Sequence, residues 1–253
     1  MGWARHQVRL LICAVQFLTR VPTPPLATFE PDWITRSARY FPLVGQGVGA
    51  TCAFVLVLAE RAWSAPVAAV LAIAVGLLIT GAFHEDGLAD TADGLGGGQT
   101  AERRLEIMKD SRIGTYGACA LVLTLALKAA VLASTPAGIA AVMLLSAHGL
   151  GRAAAVVVMR ATPYAPSGEA GKWKPVPDGV RTPEVLVALV IASWPLALLP
   201  LDAALAGLAL GGALTVAPAL LARRLIGGHT GDVLGAVEQM FEVGFLLGAA
   251  ALA

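Results

Sequence analysis

Seven times along its length the chain strings together about twenty residues with almost no charge, at residues 42–59, 63–83, 114–134, 137–159, 184–200, 203–222 and 233–252. Each run approaches the roughly 20 residues that a helix needs to cross the hydrocarbon core of a bilayer. The runs are rich in Ala, Leu and Val and lack polar alternation at a period of two, so a barrel of strands is not expected. Composition agrees: 57% of the residues are hydrophobic and 14% charged, against about a quarter charged in soluble domains. The expectation is all-α, a polytopic membrane helix bundle of about seven transmembrane helices. No internal repeat or linker divides residues 1–253, which are read as one integral membrane catalytic domain.

Arg5 and Arg9 precede a shorter apolar run, Leu10 to Leu18. It resembles a signal peptide only superficially, because it leads into Thr19 to Pro25 with no small-x-small cleavage site, and it is too short to span. A retained interfacial or re-entrant helix is expected there. Cys13, Cys52 and Cys119 are odd in number, widely spaced and without a Cys-x-x-Cys pair, which indicates neither a disulfide framework nor a zinc site. The net charge of +1 comes with no basic patch, so nucleic acid is not expected as a partner.

Connections between the runs alternate long and short. With every run crossing, the N-terminal segment and the loops at 84–113, 160–183 and 223–232 share one side, and they hold 15 of the 18 Lys and Arg residues. The positive-inside rule makes that side cytoplasmic, so the polar residues fit for chemistry face the cytosol.

The first of these loops opens with His84 to Leu95, which places Glu85, Asp86, Asp90 and Asp93 directly after an apolar run. On a helix Asp86, Asp90 and Asp93 stand at i, i+4 and i+7 and share a face. Unneutralised, they would repel one another; hard oxygen donors at this density suit Mg²⁺ or Mn²⁺ carrying a phosphorylated substrate. The plainer reading is a solvated acidic helix end. Gly96, Gly97 and Gly98 follow as a flexible turn whose N–H groups could approach a phosphate. Beyond them, Lys109 and Arg112 can fold back toward the aspartates as a basic clamp on a pyrophosphate, or Arg112 can serve as a membrane-surface anchor.

Two further clusters lie downstream. His148 and Arg152 are four residues apart on one helical face, with Arg152 about two turns inside the span. It either snorkels to the interface or lines a polar cavity and meets an anion or a carboxylate. His148 is either an interior histidine or a substrate ligand. In the third loop, Thr230 and Asp232 stand where the last span begins. Thr230 or Asp232 can simply cap that helix, which is compatible with substrate contact and with Asp232 as a second anchor for metal.

Taken in order, Phe17 to Pro24, Tyr40 to Gly45, His84 to Gly94, Asp110 to Gly117 and Gly227 to Ala236 resemble the successive motifs of the cobalamin synthase family, adenosylcobinamide-GDP ribazoletransferase. The resemblance covers nearly the whole chain, and the Asp86 to Gly94 run is its most specific part. It implies a Mg²⁺-dependent multi-pass enzyme of a bacterial inner membrane that joins adenosylcobinamide-GDP to α-ribazole, or to its 5′-phosphate, and releases GMP. Asp86, Asp90 and Asp93 would then be catalytic and, with Glu85 and Asp232, hold one or two metal ions. Lys109, Arg112, His148, Arg152, Thr230 and Asp232 would contact substrate. Partners beyond the lipid bilayer would be a second copy of the chain or other enzymes of corrinoid assembly. One departure is Pro166, where the family pattern has a basic residue, which leaves Lys172 as a substitute.

Two other functions compete. A CDP-alcohol phosphotransferase of lipid synthesis also carries an Asp-Gly-led acidic motif, but its Ala-Arg pair is missing here, since Asp90 follows Ala89. A divalent-cation transporter would place carboxylates near mid-membrane on broken helices, with polar residues facing both sides.

Overall fold

The computed structural model describes residues 2–26, 32–165 and 179–253. Among them every apolar run is helical. The elements are α1 (Trp3–Leu18), α2 (Trp33–Ser37), α3 (Phe41–Ala59), α4 (Ala65–Thr80), α5 (Phe83–Gly97), α6 (Ala101–Met108), α7 (Thr115–Ser134), α8 (Ala137–Ala161), α9 (Thr182–Ser193), α10 (Leu201–Ile226) and α11 (Gly231–Ala250). Five are long and apolar enough to cross a membrane: α3 together with α2, α7, α8, α10 and α11. The pair α4 and α5, bent by 90°, has the form of a broken span or a re-entrant loop, while α9 with the 3₁₀ turn Trp194–Leu198 is a shorter apolar helix. The protein is a polytopic membrane helix bundle, as the runs predict, with two of the seven runs giving shorter helices than expected.

The break after α4 has a local cause. Gly81 (φ 67°) and Ala82 (φ 56°) both adopt the left-handed conformation, and the chain turns by 90° into α5. Gly81 tolerates this without a Cβ, which would otherwise strike the Arg20 guanidinium. Ala82 takes the same backbone with a Cβ, at a cost of about 1 kcal/mol.

The expected long loop at 84–113 is mostly helix. α5 keeps Asp86, Asp90 and Asp93 on one face, as the spacing predicts, and α6 follows after Thr100, whose side chain caps it by accepting from the Arg103 N–H at 3.2 Å. The glycine run is not a turn: Gly96 and Gly97 finish α5, and only Gly98 leaves the helix. The stretch at 223–232 is also shorter than expected, because α10 continues to Ile226. Pro166 and Lys172 lie outside the described residues, and with them the question of a phosphate role for that segment.

The core is continuous through Cys52, Leu56, Leu132, Met143, Leu144, Phe245 and Leu246, from α3, α7, α8 and α11. α1 packs Ala14 and Leu18 against Phe41, Val44 and Val156, near the start of α3 and the end of α8. Trp3 at its far end remains 79% exposed. The apolar run at residues 10–18 is thus the second part of a helix packed against α3 and α8.

Candidate functional site

Glycine decides where the acidic face of α5 ends up. A Cβ on Gly87 would lie 2.8 Å from the Asp232 carbonyl oxygen, and one on Gly235 would lie 3.0 Å from that of His84. With no side chain at the crossing, α5 and α11 approach backbone to backbone. The contact carries Asp232 over to Asp86 and Asp90, though 142 residues separate Asp90 from Asp232 in sequence.

The electrostatic result appears at Asp90. Partial burial, followed by the charges of Asp86, Asp232 and Asp93, pushes its carboxyl up to about 7. Four carboxylates, three from α5 and Asp232 from the first turn of α11, therefore share one field. Asp93 is oriented by main chain: its two oxygens accept from the N–H groups of Gly114 at 2.7 Å and Gly117 at 2.9 Å. It thus caps α7, with lone pairs left over for a cation. Thr230 caps α11 by accepting from the Val233 N–H at 3.2 Å, and its hydroxyl lies 3.3 Å from Asp232. The capping alternative therefore holds for Thr230 and leaves Asp232 at the ledge.

Below the ledge lies a second constellation, of which the sequence alone singles out Glu85, His148 and Arg152. Glu242 meets Lys128 at 2.6 Å and His148 at 2.6 Å, while Arg152 meets Glu238 at 2.7 Å and Glu242 at 3.3 Å. Gln239 accepts from Lys128 at 2.6 Å and donates to Glu85 at 2.8 Å and Glu238 at 2.9 Å. Arg152, Glu238 and Glu242 are at most 2% exposed. Two fixed cations face three carboxylates, so one further proton, on His148 or on a carboxyl, makes the cluster neutral. The signal was present: ionisable residues at i, i+4 in two apolar helices, Glu238 with Glu242 and His148 with Arg152, of largely opposite sign. Glu238 and Glu242 make the last apolar run the least certain span when read in sequence; in the fold they are the partners of Lys128 and Arg152.

Of the residues expected to contact substrate, the structure brings Thr230 and Asp232 to the ledge and puts His148 and Arg152 in the buried cluster. Arg152 meets carboxylates, one of its two expected fates. Glu85, expected as a metal ligand, turns inward to Gln239, and its second oxygen is buried with no hydrogen-bond partner. Arg112 does not fold back onto the aspartates. It forms a forked pair with Asp110 that holds the Asp110 carboxyl down at about 2, and its side chain stays 87% exposed. Short-range geometry explains this: two residues apart across a turn, the pair needs no loop closure. Lys109 is exposed at the end of α6.

His148, Glu238 and Glu242 bring ligand atoms within 4.8 Å of one another. Lys128 and Arg152 already supply the positive charge there, so this trio is a poor cation site. The ledge is a better one, since its hard oxygen donors and the raised Asp90 proton are what a divalent ion would relieve.

Beyond the ledge, Pro163 and Ala165 are tied to the loop before α11. His229 donates its N–H to the Pro163 carbonyl at 2.9 Å, and Ala165 donates to the His229 carbonyl at 2.8 Å. Burial pushes the His229 ring below its usual range, and its Nδ1 lies 2.9 Å from the Thr162 hydroxyl. The C-terminal end of α8 and the start of α11 are thus fixed to each other beside Asp232.

Comparison with known proteins gives the family of the chain. No solved structure matches the chain. A relative from Leptothrix cholodnii, named adenosylcobinamide-GDP ribazoletransferase, is 42% identical over 96% of this chain and 95% of its own. Relatives of the same name from Vibrio cholerae, 42% identical over 94% of this chain and 92% of theirs, and from Shewanella frigidimarina, 41% identical over 95% and 93%, extend the match. The model of the family described as CobS, cobalamin-5-phosphate synthase, matches residues 10–250, from within α1 to the end of α11 and across every residue of the ledge, and to that family the chain belongs.

Proposed function

We propose that this protein transfers the cobinamide phosphate of adenosylcobinamide-GDP to α-ribazole, or to α-ribazole 5′-phosphate, and releases GMP. A ribose hydroxyl oxygen attacks the phosphorus attached to cobinamide. The new P–O bond replaces the one to the bridging oxygen, which leaves with GMP, and the hydroxyl proton passes to a carboxylate. The observation that carries this reading is the convergence of Asp86, Asp90, Asp93 and Asp232 where α5 crosses α11. Four carboxylates repel a diphosphate unless cations intervene.

The ledge fits Mg²⁺, and Asp86, Asp90, Asp93 and Asp232 are the residues that would hold it, with Mn²⁺ as a substitute. When bound, the ion offsets charge that develops on the GMP leaving group. Asp93, fixed by two main-chain N–H groups, sets the orientation of the face that carries Asp86 and Asp90. Charge bias supports a cytosolic orientation of this face at a bacterial inner membrane, since the loops on its side carry most of the Lys and Arg.

A transporter has two points in its favour, the broken pair α4 and α5 and the buried glutamates of α11. Those glutamates are paired with Arg152, Lys128 and His148, and do not form a vacant cage for a passing ion.

Purified protein supplied with adenosylcobinamide-GDP, α-ribazole and Mg²⁺ is expected to release GMP and to be silent with CDP-activated lipid. Asp86→Ala and Asp90→Ala should each lower turnover by at least about 10²-fold. Near wild-type GMP release by both variants would sink the proposal.

A further inference from the structure

We infer that Lys128 and Gln239, which touch neither substrate nor metal, are positioning residues that set the acidic ledge through Glu85; this rests on the reading of the ledge given above. Gln239 sits mid-chain in a relay across three helices. Its carbonyl oxygen accepts from the Lys128 ammonium on α7, and its amide nitrogen donates to Glu85 on α5 and to Glu238 beside it on α11. All three of those amide functions are used. The amide has one orientation, because only oxygen can face an ammonium and only NH₂ can face two carboxylates. Gln239 is 2% exposed and Lys128 6% exposed, so these contacts are shielded from bulk solvent.

The geometric consequence lies one residue away. Glu85 immediately precedes Asp86, and α5 has two further fixed points: the Gly87 crossing with α11 and the Asp93 cap on α7. The relay gives α5 a second tether to α7, at the opposite end from Asp93. Between the two tethers lie Asp86 and Asp90. With the relay cut, α5 keeps its crossing with α11 but is free to rotate about its own axis at the Glu85 end, which swings Asp86 relative to Asp232. Glu85 also lines a cavity with Lys128, Arg152 and His84, and its second oxygen is buried without a partner. A Glu85 carboxylate that loses Gln239 would have no acceptable position inside and would pull its helix toward solvent.

Outer partners that orient ligands change metal affinity or activity by about 10–100-fold when removed. Gln239→Met keeps the volume and removes both donors. It is expected to raise the Mg²⁺ concentration for half-maximal GMP release about 10-fold and to lower kcat, with the KM for α-ribazole little changed. Lys128→Met should move the Mg²⁺ midpoint in the same direction, and Lys128→Arg should restore much of it. A purely structural role would lower the yield or melting temperature and leave the midpoint of the surviving protein where it was. That outcome in Gln239→Met overturns the inference; should that variant not fold, Gln239→Asn carries the same readout. Asp86→Ala separates the two levels. Full activity in Asp86→Ala removes the ledge reading itself, whereas an inactive Asp86→Ala beside an unmoved Gln239→Met removes only the role of the relay.

Discussion

Asp90 shows how much one side chain reports about its neighbours. Its carboxyl is held up at about 7 by burial and by Asp86, Asp232 and Asp93. In the metal-free protein the folded state therefore keeps a proton that the unfolded chain has lost. The stability from this group is present at low pH and drains away as pH rises through about 7. A divalent ion must displace that proton. Mg²⁺ affinity, followed by calorimetry, should weaken as pH falls below about 7, with a proton released on binding. Asp90→Asn should abolish that slope, and a slope that persists in the variant would refute the assignment. Ala82 offers a second test. At φ 56° it pays for a backbone that glycine adopts freely, so Ala82→Gly should stabilise the protein by about 1 kcal/mol, read as a raised melting temperature in detergent. The three aspartates of α5 were legible in sequence because a helical period alone puts them together. The fate of Arg112 was not, because a nearby Asp110 outcompetes a distant ledge and only coordinates reveal which partner wins.

Among elements, the crossing of α5 with α11 fixes the ledge, and its tolerance is small. Gly87→Ala sets a methyl 2.8 Å from the Asp232 carbonyl oxygen, which the two backbones can relieve only by moving apart. Misplacement on the 1 Å scale costs about 10²-fold in rate. Gly87→Ala is therefore expected to lose GMP release at least 10-fold, by the same estimate, while Gly212→Ala, whose Cβ meets nothing within 4 Å, should leave turnover unchanged. Equal activity in the two variants would show that the approach does not matter. The apolar runs foretold every long helix, because a bilayer permits few alternatives to a helix. They did not foretell the corner at Gly81 and Ala82, since a left-handed alanine has no sequence signature. Nor did they show that residues 84–113 are two helices joined to the bundle, because their polar composition reads as a loop.

Across the whole molecule the charges inside the bundle join its helices. Lys128, His148, Arg152, Glu238, Glu242 and Glu85 connect α5, α7, α8 and α11 at one level. Breaking such a pair from one side leaves a buried charge uncompensated, at a cost of about 3–5 kcal/mol. Arg152→Met should thus lower thermal stability sharply, and Arg152→Met with Glu238→Gln should recover part of the loss; an Arg152→Met protein as stable as the parent would contradict this account. The partners are dispersed over the sequence, and their joint identity follows only from helix packing, which no single stretch encodes. One consequence follows from the way Asp93 is held. Its anchors are the amide hydrogens of Gly114 and Gly117, and nineteen of the twenty amino acids would present the same hydrogen. Any side chain at either position would strike the Asp93 carboxylate itself, so ordinary mutation disturbs the clasp by crowding and proline does so also by removing the hydrogen. Chemical synthesis can do so more gently: an ester in place of the amide at residue 117 would release one tooth of the clasp while leaving every side chain of the protein intact.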